Sequence, residues 1–205
     1  MIVYVESNFV FELALMREEY SYCRSLLDFA AAQKIILAIP AYSIGEPYET
    51  LIRRSKHRKD LHDKLEVELN ELSPSQPYEK ASQELKESAA FLLKSNEEEE
   101  RRLGEALNDI LDVTQIIPLD AQTIRNAFPL QQSHDLSPQD SIVFATILAH
   151  LMSASPQTSC FITKNSRDFV VTPVLADLAK YNCKLLTRFS DGWGFINSQA
   201  PSSSG

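Results

Sequence analysis

Ile2-Val3-Tyr4-Val5-Glu6-Ser7-Asn8 decides the fold. Four apolar residues follow one another without alternation and end on an acid. Continuous apolar runs are expected where helices cover both faces of a parallel sheet. Residues 34–39, 159–163 and 183–186 repeat the pattern, and residues 115–118 form a weaker fifth run. Helical patterns separate these runs. Tyr22, Leu26, Leu27 and Ala30 mark one stripe. Ile142, Phe144, Ala145, Ile147, Leu148 and Leu151 are apolar nearly all round, which predicts a buried helix. Strands alternating with helices predict a three-layer α/β/α domain with a central parallel sheet, joined by right-handed crossovers.

The chain of 205 residues suits one such domain, over residues 1–198, with a tail at 199–205 (QAPSSSG) expected to be disordered. One region reads as inserted, at about residues 58–112. Leu61, Leu65, Leu69 and Leu72 repeat at helical spacing, and a turn follows at Ser73-Pro74-Ser75-Gln76-Pro77. A second stripe then runs through Ala81, Leu85, Ala89 and Leu92 to Leu103, Leu107 and Leu111. This predicts a helical hairpin, with a break near Asn96 where the charge run Glu97–Arg102 begins. The hairpin reads equally as a lid or partner-docking arm and as a dimerisation element.

The net charge of −8 argues against a surface that is basic throughout, but it is local. Residues 58–112 hold 15 of the 28 acidic residues and 8 of the 20 basic ones, which leaves the rest of the chain near neutrality. Three cysteines without CxxC spacing fit a reducing compartment. No apolar run approaches the roughly 18 residues that a membrane helix needs, and the N-terminus lacks a basic leader region. A cytoplasmic protein without a membrane partner is the expectation. Five glycines, with no Gly-rich phosphate loop, argue against a dinucleotide-binding or P-loop protein.

The chemistry is expected beyond the carboxyl ends of the strands, where open parallel sheets bind ligands. Glu6 ends the first run, Glu46 follows the second, and Asn165 and Asp168 follow the fourth. Asp140 joins them from a helix that opens with Ser137 as cap and Pro138 in the first turn. Crowded carboxylates repel one another, and a hard divalent cation such as Mg²⁺ or Mn²⁺ relieves the repulsion. An acid set without His or Cys partners is not a zinc site.

Each acid also has a plain structural reading. Asp140 and Asp168 sit where helix caps sit, and Glu46 lies near a helix start where the dipole favours an acid. Glu6 has a salt bridge to Lys164 or Arg167 as its structural alternative. Arg53, Arg54, Lys56, Arg58 and Lys59 form a basic run two helical turns from Glu46, either a guide for an RNA backbone or a solvated helix end. His57, His62, His134 and His150 show no ligand-like spacing, and Trp193 is assigned to packing.

Three motifs together resemble the PIN domain nucleases, including the toxin ribonucleases of bacterial toxin–antitoxin pairs. They are Ile2–Asn8, the helix opening Leu136-Ser137-Pro138-Gln139-Asp140-Ser141, and Phe161-Ile162-Thr163-Lys164-Asn165-Ser166-Arg167-Asp168-Phe169. The resemblance covers most of the chain outside the hairpin. It implies a metal-dependent endoribonuclease that leaves 5′-phosphate and 3′-hydroxyl ends, with an antitoxin or other protein partner and a homodimer as companions. Carried over, Glu6, Glu46, Asp140 and Asp168 would be catalytic, and Glu6, Asp140, Asn165 and Asp168 would hold Mg²⁺ or Mn²⁺. Ser7, Asn8 and Thr163 would support them, and the basic run would bind RNA. The family usually opens with Asp where this chain has Glu6. A catalytically degenerate PIN-like binding module is therefore the rival reading. A phosphatase or DNA nuclease using the same acids is a second. A flavodoxin-like receiver is a third, disfavoured because Leu185-Leu186-Thr187 carries no lysine.

Overall fold

The computed structural model describes residues 1–199. Five short strands form one sheet: β1 (Ile2–Tyr4), β2 (Ile36–Pro40), β3 (Gln115–Ile117), β4 (Ser159–Ile162) and β5 (Cys183–Leu186). All four pairings are parallel and the order is β3-β2-β1-β4-β5. All five apolar runs are strands. The order differs from the flavodoxin-like 2-1-3-4-5 arrangement, which removes the receiver reading.

Both sheet faces are covered, which is why the runs are continuous. Side chains alternate across a strand. Val3 and Val5 therefore enter one core cluster, with Phe9, Leu26, Leu103 and Ile110. Ile2 and Tyr4 enter the other, with Phe144, Ile147 and Phe161. The first layer holds α1 (Ser7–Ala14), α2 (Tyr20–Ala31), the long pair α3 (Tyr42–Leu72) and α4 (Glu79–Val113), and the last helix, numbered α9 (Phe189–Gln199). The opposite layer is built from α5 (Ala121–Ser133), α6 (Pro138–Ala154), the single turn α7 (Ser166–Phe169) and α8 (Thr172–Ala179). Trp193 packs edge-on against Phe29 at 4.5 Å between ring centroids. At Gly192 a β-carbon would fall 2.3 Å from Ile162 Cδ1, so any larger residue there would require the Ile162 side chain to move.

The hairpin is present, but it differs from the expectation in two respects. Helix α4 runs unbroken through Asn96. Ion pairs one turn apart, Glu98–Arg102 and Arg101–Glu105, turn the charge run into helix-compatible surface. Across the hairpin the Arg58 guanidinium donates to Ser95 (3.2 Å), Asn96 (2.9 Å) and Glu99 (2.9 Å). The second difference is the boundary. Leu103, Ala106, Leu107 and Ile110 lie in the core, so the end of α4 belongs to the α/β body and not to the insertion. Of the segment 199–205, Gln199 closes α9, and residues 200–205 lie outside the described residues.

Arg58 and Glu99 are each about one-fifth exposed, so their pairing is shielded. Replacing Arg58 with Ala leaves Glu99 and Asn96 without that donor. It is expected to destabilise the arm by roughly 1–3 kcal/mol. Hydrogen exchange should then quicken in α3 and α4 while β1 and β4 stay protected. Unchanged exchange in the arm would contradict the clamp.

Candidate active site

The site grows from the register of β1 against β4, the point at which strand order reverses. Ile2 pairs with Ser159 and Tyr4 with Phe161. Continued past the strand ends, the same offset sets Glu6 beside Thr163, whose Oγ1 donates to Glu6 Oε1 at 2.9 Å. Glu6 is 5% exposed and caps α1. Its Oε2 accepts from Ser7 Oγ (2.8 Å) and from the Asn8 amide (3.1 Å), and the Asn8 side chain donates to Oε1. An acid at a helix N-terminus is favoured by the dipole and by the free amides there. Burial still holds the Glu6 carboxyl above the usual carboxylate range, with the four hydrogen bonds pulling the other way.

Thr163 passes the connection on. Its Oγ1 accepts from the Asn165 amide (2.9 Å), and Asn165 Nδ2 donates to Asp140 Oδ1 (3.1 Å). Ser137 caps α6 by accepting from the Asp140 amide (3.1 Å) and donates its hydroxyl to Asp140 Oδ2 (2.5 Å). Capping thus fixes where this carboxylate points. Burial raises the Asp140 carboxyl, and repulsion from Asp168 raises it further against the hydrogen bonds of Ser137 and Asn165. Asp168 lies in α7, on the turn that follows Asn165.

Glu46 reaches the same region from α3. It lines a cleft of about 410 Å³ with Tyr42, Glu49, Arg53 and, across from them, Ser137 and Asp140. The Tyr42 phenol is pushed up first by burial and then by the fields of Glu46, Glu49 and Asp140, which places all three acids around one ring. Tyr42 and Glu49 escaped the sequence reading.

The four acids do not converge on one point. Glu6 is sealed behind Thr163, whereas Glu46 and Asp140 face the cleft. Among the described residues, the one set of three potential ligands with mutually close donor atoms is His62, Asp63 and Glu66, on the arm. The basic run is divided as well, because about 100° per helical residue spreads neighbours around the axis. Arg53 lines the acidic cleft. Lys56 and Lys59 line a separate groove with Tyr48, Ile52 and Glu100. Arg58 is held by the hairpin, and Arg54 is half-buried with its Nη1 enclosed and unbonded among the described residues.

Two buried acids had been passed over. Glu12, 1% exposed, accepts from Lys164 Nζ (2.9 Å) and from the Glu19 amide (2.9 Å). Lys164 therefore pairs with Glu12 and not with Glu6. Glu19 caps α9, accepting from the Phe189 amide (3.1 Å), the Ser190 amide (3.2 Å) and the Ser190 hydroxyl (3.0 Å). Burial alone would raise the Glu19 carboxyl, but these donors hold it below its ordinary value. A lone acid inside Phe9-Val10-Phe11-Glu12-Leu13-Ala14 was a readable signal for Glu12. Nothing local marked Glu19, whose partners lie 170 residues away.

No protein-family model matches the chain, and no curated protein matches it. A solved structure, VapBC2 from Rickettsia felis bound to a DNA fragment from their promoter, is similar over 90% of this chain and 97% of the matched one, at 15% identity and a TM-score of 0.44. A likeness at that level identifies neither family nor activity. No helix among the described residues is long and apolar enough to cross a membrane.

The Glu6 carboxyl titrates above its unfolded value of about 4.3. On raising the pH from about 4, the unfolded chain therefore loses this proton first, and the contribution of Glu6 to stability declines through the folded pKa. Gln at this position has no proton to lose. The melting temperature of Glu6→Gln relative to the native protein, measured in EDTA, should rise with pH from about 4 towards neutrality. A difference that falls with pH would contradict the assignment.

Proposed function

We propose that the chain is a PIN-type endoribonuclease that hydrolyses single-stranded RNA with Mg²⁺ or Mn²⁺. The supporting observation is the shared cleft. Glu46 and Asp140 line it together with Arg53, and Asp140 is bonded to Asn165 and repelled by Asp168. The PIN-like motifs carry Asp140, Asn165 and Asp168, and Glu46 follows β2 in the place of the second acid.

The donors are of the type a hard cation takes, and Glu46, Asp140 and Asp168 would have to draw closer to share one, because their oxygens do not lie within mutual reach. Carboxylate oxygens and the Asn165 amide oxygen are hard ligands; Asp140 is raised chiefly by burial and then by repulsion from Asp168, and the repulsion is the kind a cation relieves. Glu46, Asp140, Asn165 and Asp168 would hold it. When bound, such an ion supplies an activated water and neutralises charge on the phosphate. Ser137 and Asn165 orient the Asp140 carboxylate. Arg53 binds the entering phosphate backbone as a cation on the cleft wall. Glu6 acts as a positioning residue. Its fully used oxygens tie α1 to Thr163, and through Thr163 to Asn165, and are not open to a ligand without giving up these donors.

The engagement of Glu6 also favours a second reading, a PIN-like module that has lost catalysis and acts in RNA or protein binding, with an antitoxin-like protein as the candidate partner.

Purified protein incubated with single-stranded RNA and Mn²⁺ should cleave it, and EDTA should stop the reaction. Asp140→Asn is expected to slow cleavage by at least about a hundredfold. Single-stranded DNA and a small phosphate ester, run beside the RNA, should be poorer substrates. RNA left intact by the native protein but cut by Glu6→Asp would assign the binding-module reading. Cleavage that is indifferent to EDTA and to Asp140→Asn would remove the site altogether.

A further inference from the structure

Four residues, His134 to Ser137, join α5 to α6, and the last of them aims Asp140. The joint is fixed at each step. Asp135 takes the left-handed conformation (φ 55°) that commonly ends a helix. The Leu136 amide donates back to the Gln131 carbonyl at 3.2 Å, and the Leu136 side chain enters the core cluster of Phe144 and Val174. Ser137 caps α6 and bonds both the amide and the carboxylate of Asp140. His134, 9% exposed, holds the other end. Its Nε2 donates to Asp177 Oδ2 on α8 at 3.0 Å. Its ring leans on Phe144 of α6, with 5.7 Å between centroids. Helix α8 follows α7, which carries Asp168. The contact therefore ties the chain just before Asp140 to the chain just after Asp168, two acids that repel each other.

The partners of the ring decide how many protons it can use. Burial alone would raise the Asp177 carboxyl, but Lys180 and His134 hold it below its ordinary value, so it is ionised. A carboxylate only accepts, so Nε2 bears a proton. Ser133 Oγ gives its own proton to the Pro129 carbonyl (2.8 Å), which leaves its oxygen to accept from Nδ1 (2.7 Å). All three bonds are complete together only when the ring is an imidazolium. The ring also stands at the C-terminus of α5, where the helix carbonyls attract a cation, and Asp135 follows it in the chain. Burial opposes the charge, as does Lys180, which donates to the other oxygen of Asp177 (2.6 Å). Loss of one proton forces a choice. Ser133 turns its hydroxyl to Nδ1 and gives up Pro129, and the bond to Asp177 is no longer between two charges.

We propose that His134 is a positioning residue whose proton sets the aim of Asp140. Protonated, the ring clamps the joint to α8, and Ser137 keeps the Asp140 carboxylate where Asn165 can donate to it. Deprotonated, the clamp loosens and the cap on α6 opens more often. Histidine is the side chain that changes charge between about pH 5 and 8, the range in which such a clamp responds. Its bearing on catalysis rests on the reading of the acidic cleft as the active site. The coupling between the ring and the cap does not.

Hydrogen exchange of the full chain in EDTA, followed amide by amide by NMR from about pH 5 to 8, tests it. The reporter is the Asp140 amide, which donates to Ser137. Corrected for the intrinsic pH dependence of exchange, its protection is expected to fall about tenfold as the His134 ring titrates. His134→Gln should remove that step and leave only the one that belongs to the Asp140 carboxyl. Asp177→Asn, which exchanges one oxygen for nitrogen, is the milder variant and should flatten the step likewise, even if His134→Gln misfolds. Protection that ignores the titration of the ring overturns the proposal. So does a step that persists in either folded variant. Where the chain cleaves RNA, its pH–rate profile should carry the same step and the variants should lose it. A native chain that cleaves nothing yet keeps the coupled step removes the nuclease reading and leaves this one standing.

Discussion

The Glu6 carboxylate holds the functional edge of this protein together. It ends a buried strand where an uncompensated charge would be costly, and four donors from Ser7, Asn8 and Thr163 meet it. Three of those donors come from the helix it caps. The fourth crosses the switch point of the sheet, and is there because β1 and β4 keep one register beyond their ends. The same hydroxyl accepts from the Asn165 backbone amide, and the Asn165 side chain donates to Asp140. One buried acid thereby couples the first strand, the fourth strand and the opening of α6.

A second acid does comparable work one layer away. Glu12 binds Lys164, the residue between Thr163 and Asn165, and also the backbone of Glu19, which in turn caps α9. The β4 loop is therefore held from both flanks, by Glu6 through a hydroxyl and by Glu12 through an ammonium. Hydrogen bonding to the Glu12 carboxylate raises Lys164 and keeps it charged. Each buried carboxylate has partners, which is the condition under which burying charge is tolerable.

Helix α3 joins the cleft to the arm. Its first turns line the acidic cleft with Tyr42, Glu46 and Arg53, and its last turns form half of the arm. Between them Arg58 locks it to α4.

Strand positions, the covered sheet, the hairpin and the order of the acids were legible in the sequence. Each depends on local pattern: apolar runs of strand length, leucines at helical spacing, a Ser-Pro helix opening. The unbroken course of α4 was not, because its own pairs Glu98–Arg102 and Arg101–Glu105 act together with the bonds that Arg58 brings to Asn96 and Glu99 from another helix. Glu19 was invisible for a similar reason, since its donors lie at the far end of the chain. The sequence by itself determined which residues stand at the carboxyl edge of the sheet, because strand periodicity and helix caps are written in neighbouring residues. Only the tertiary structure decided their roles. Strand register turned Glu6 inward to Thr163, while helix phase turned Glu46 and Asp140 to the cleft and dispersed the basic run around α3. Register and phase are relations between elements, which no single segment encodes.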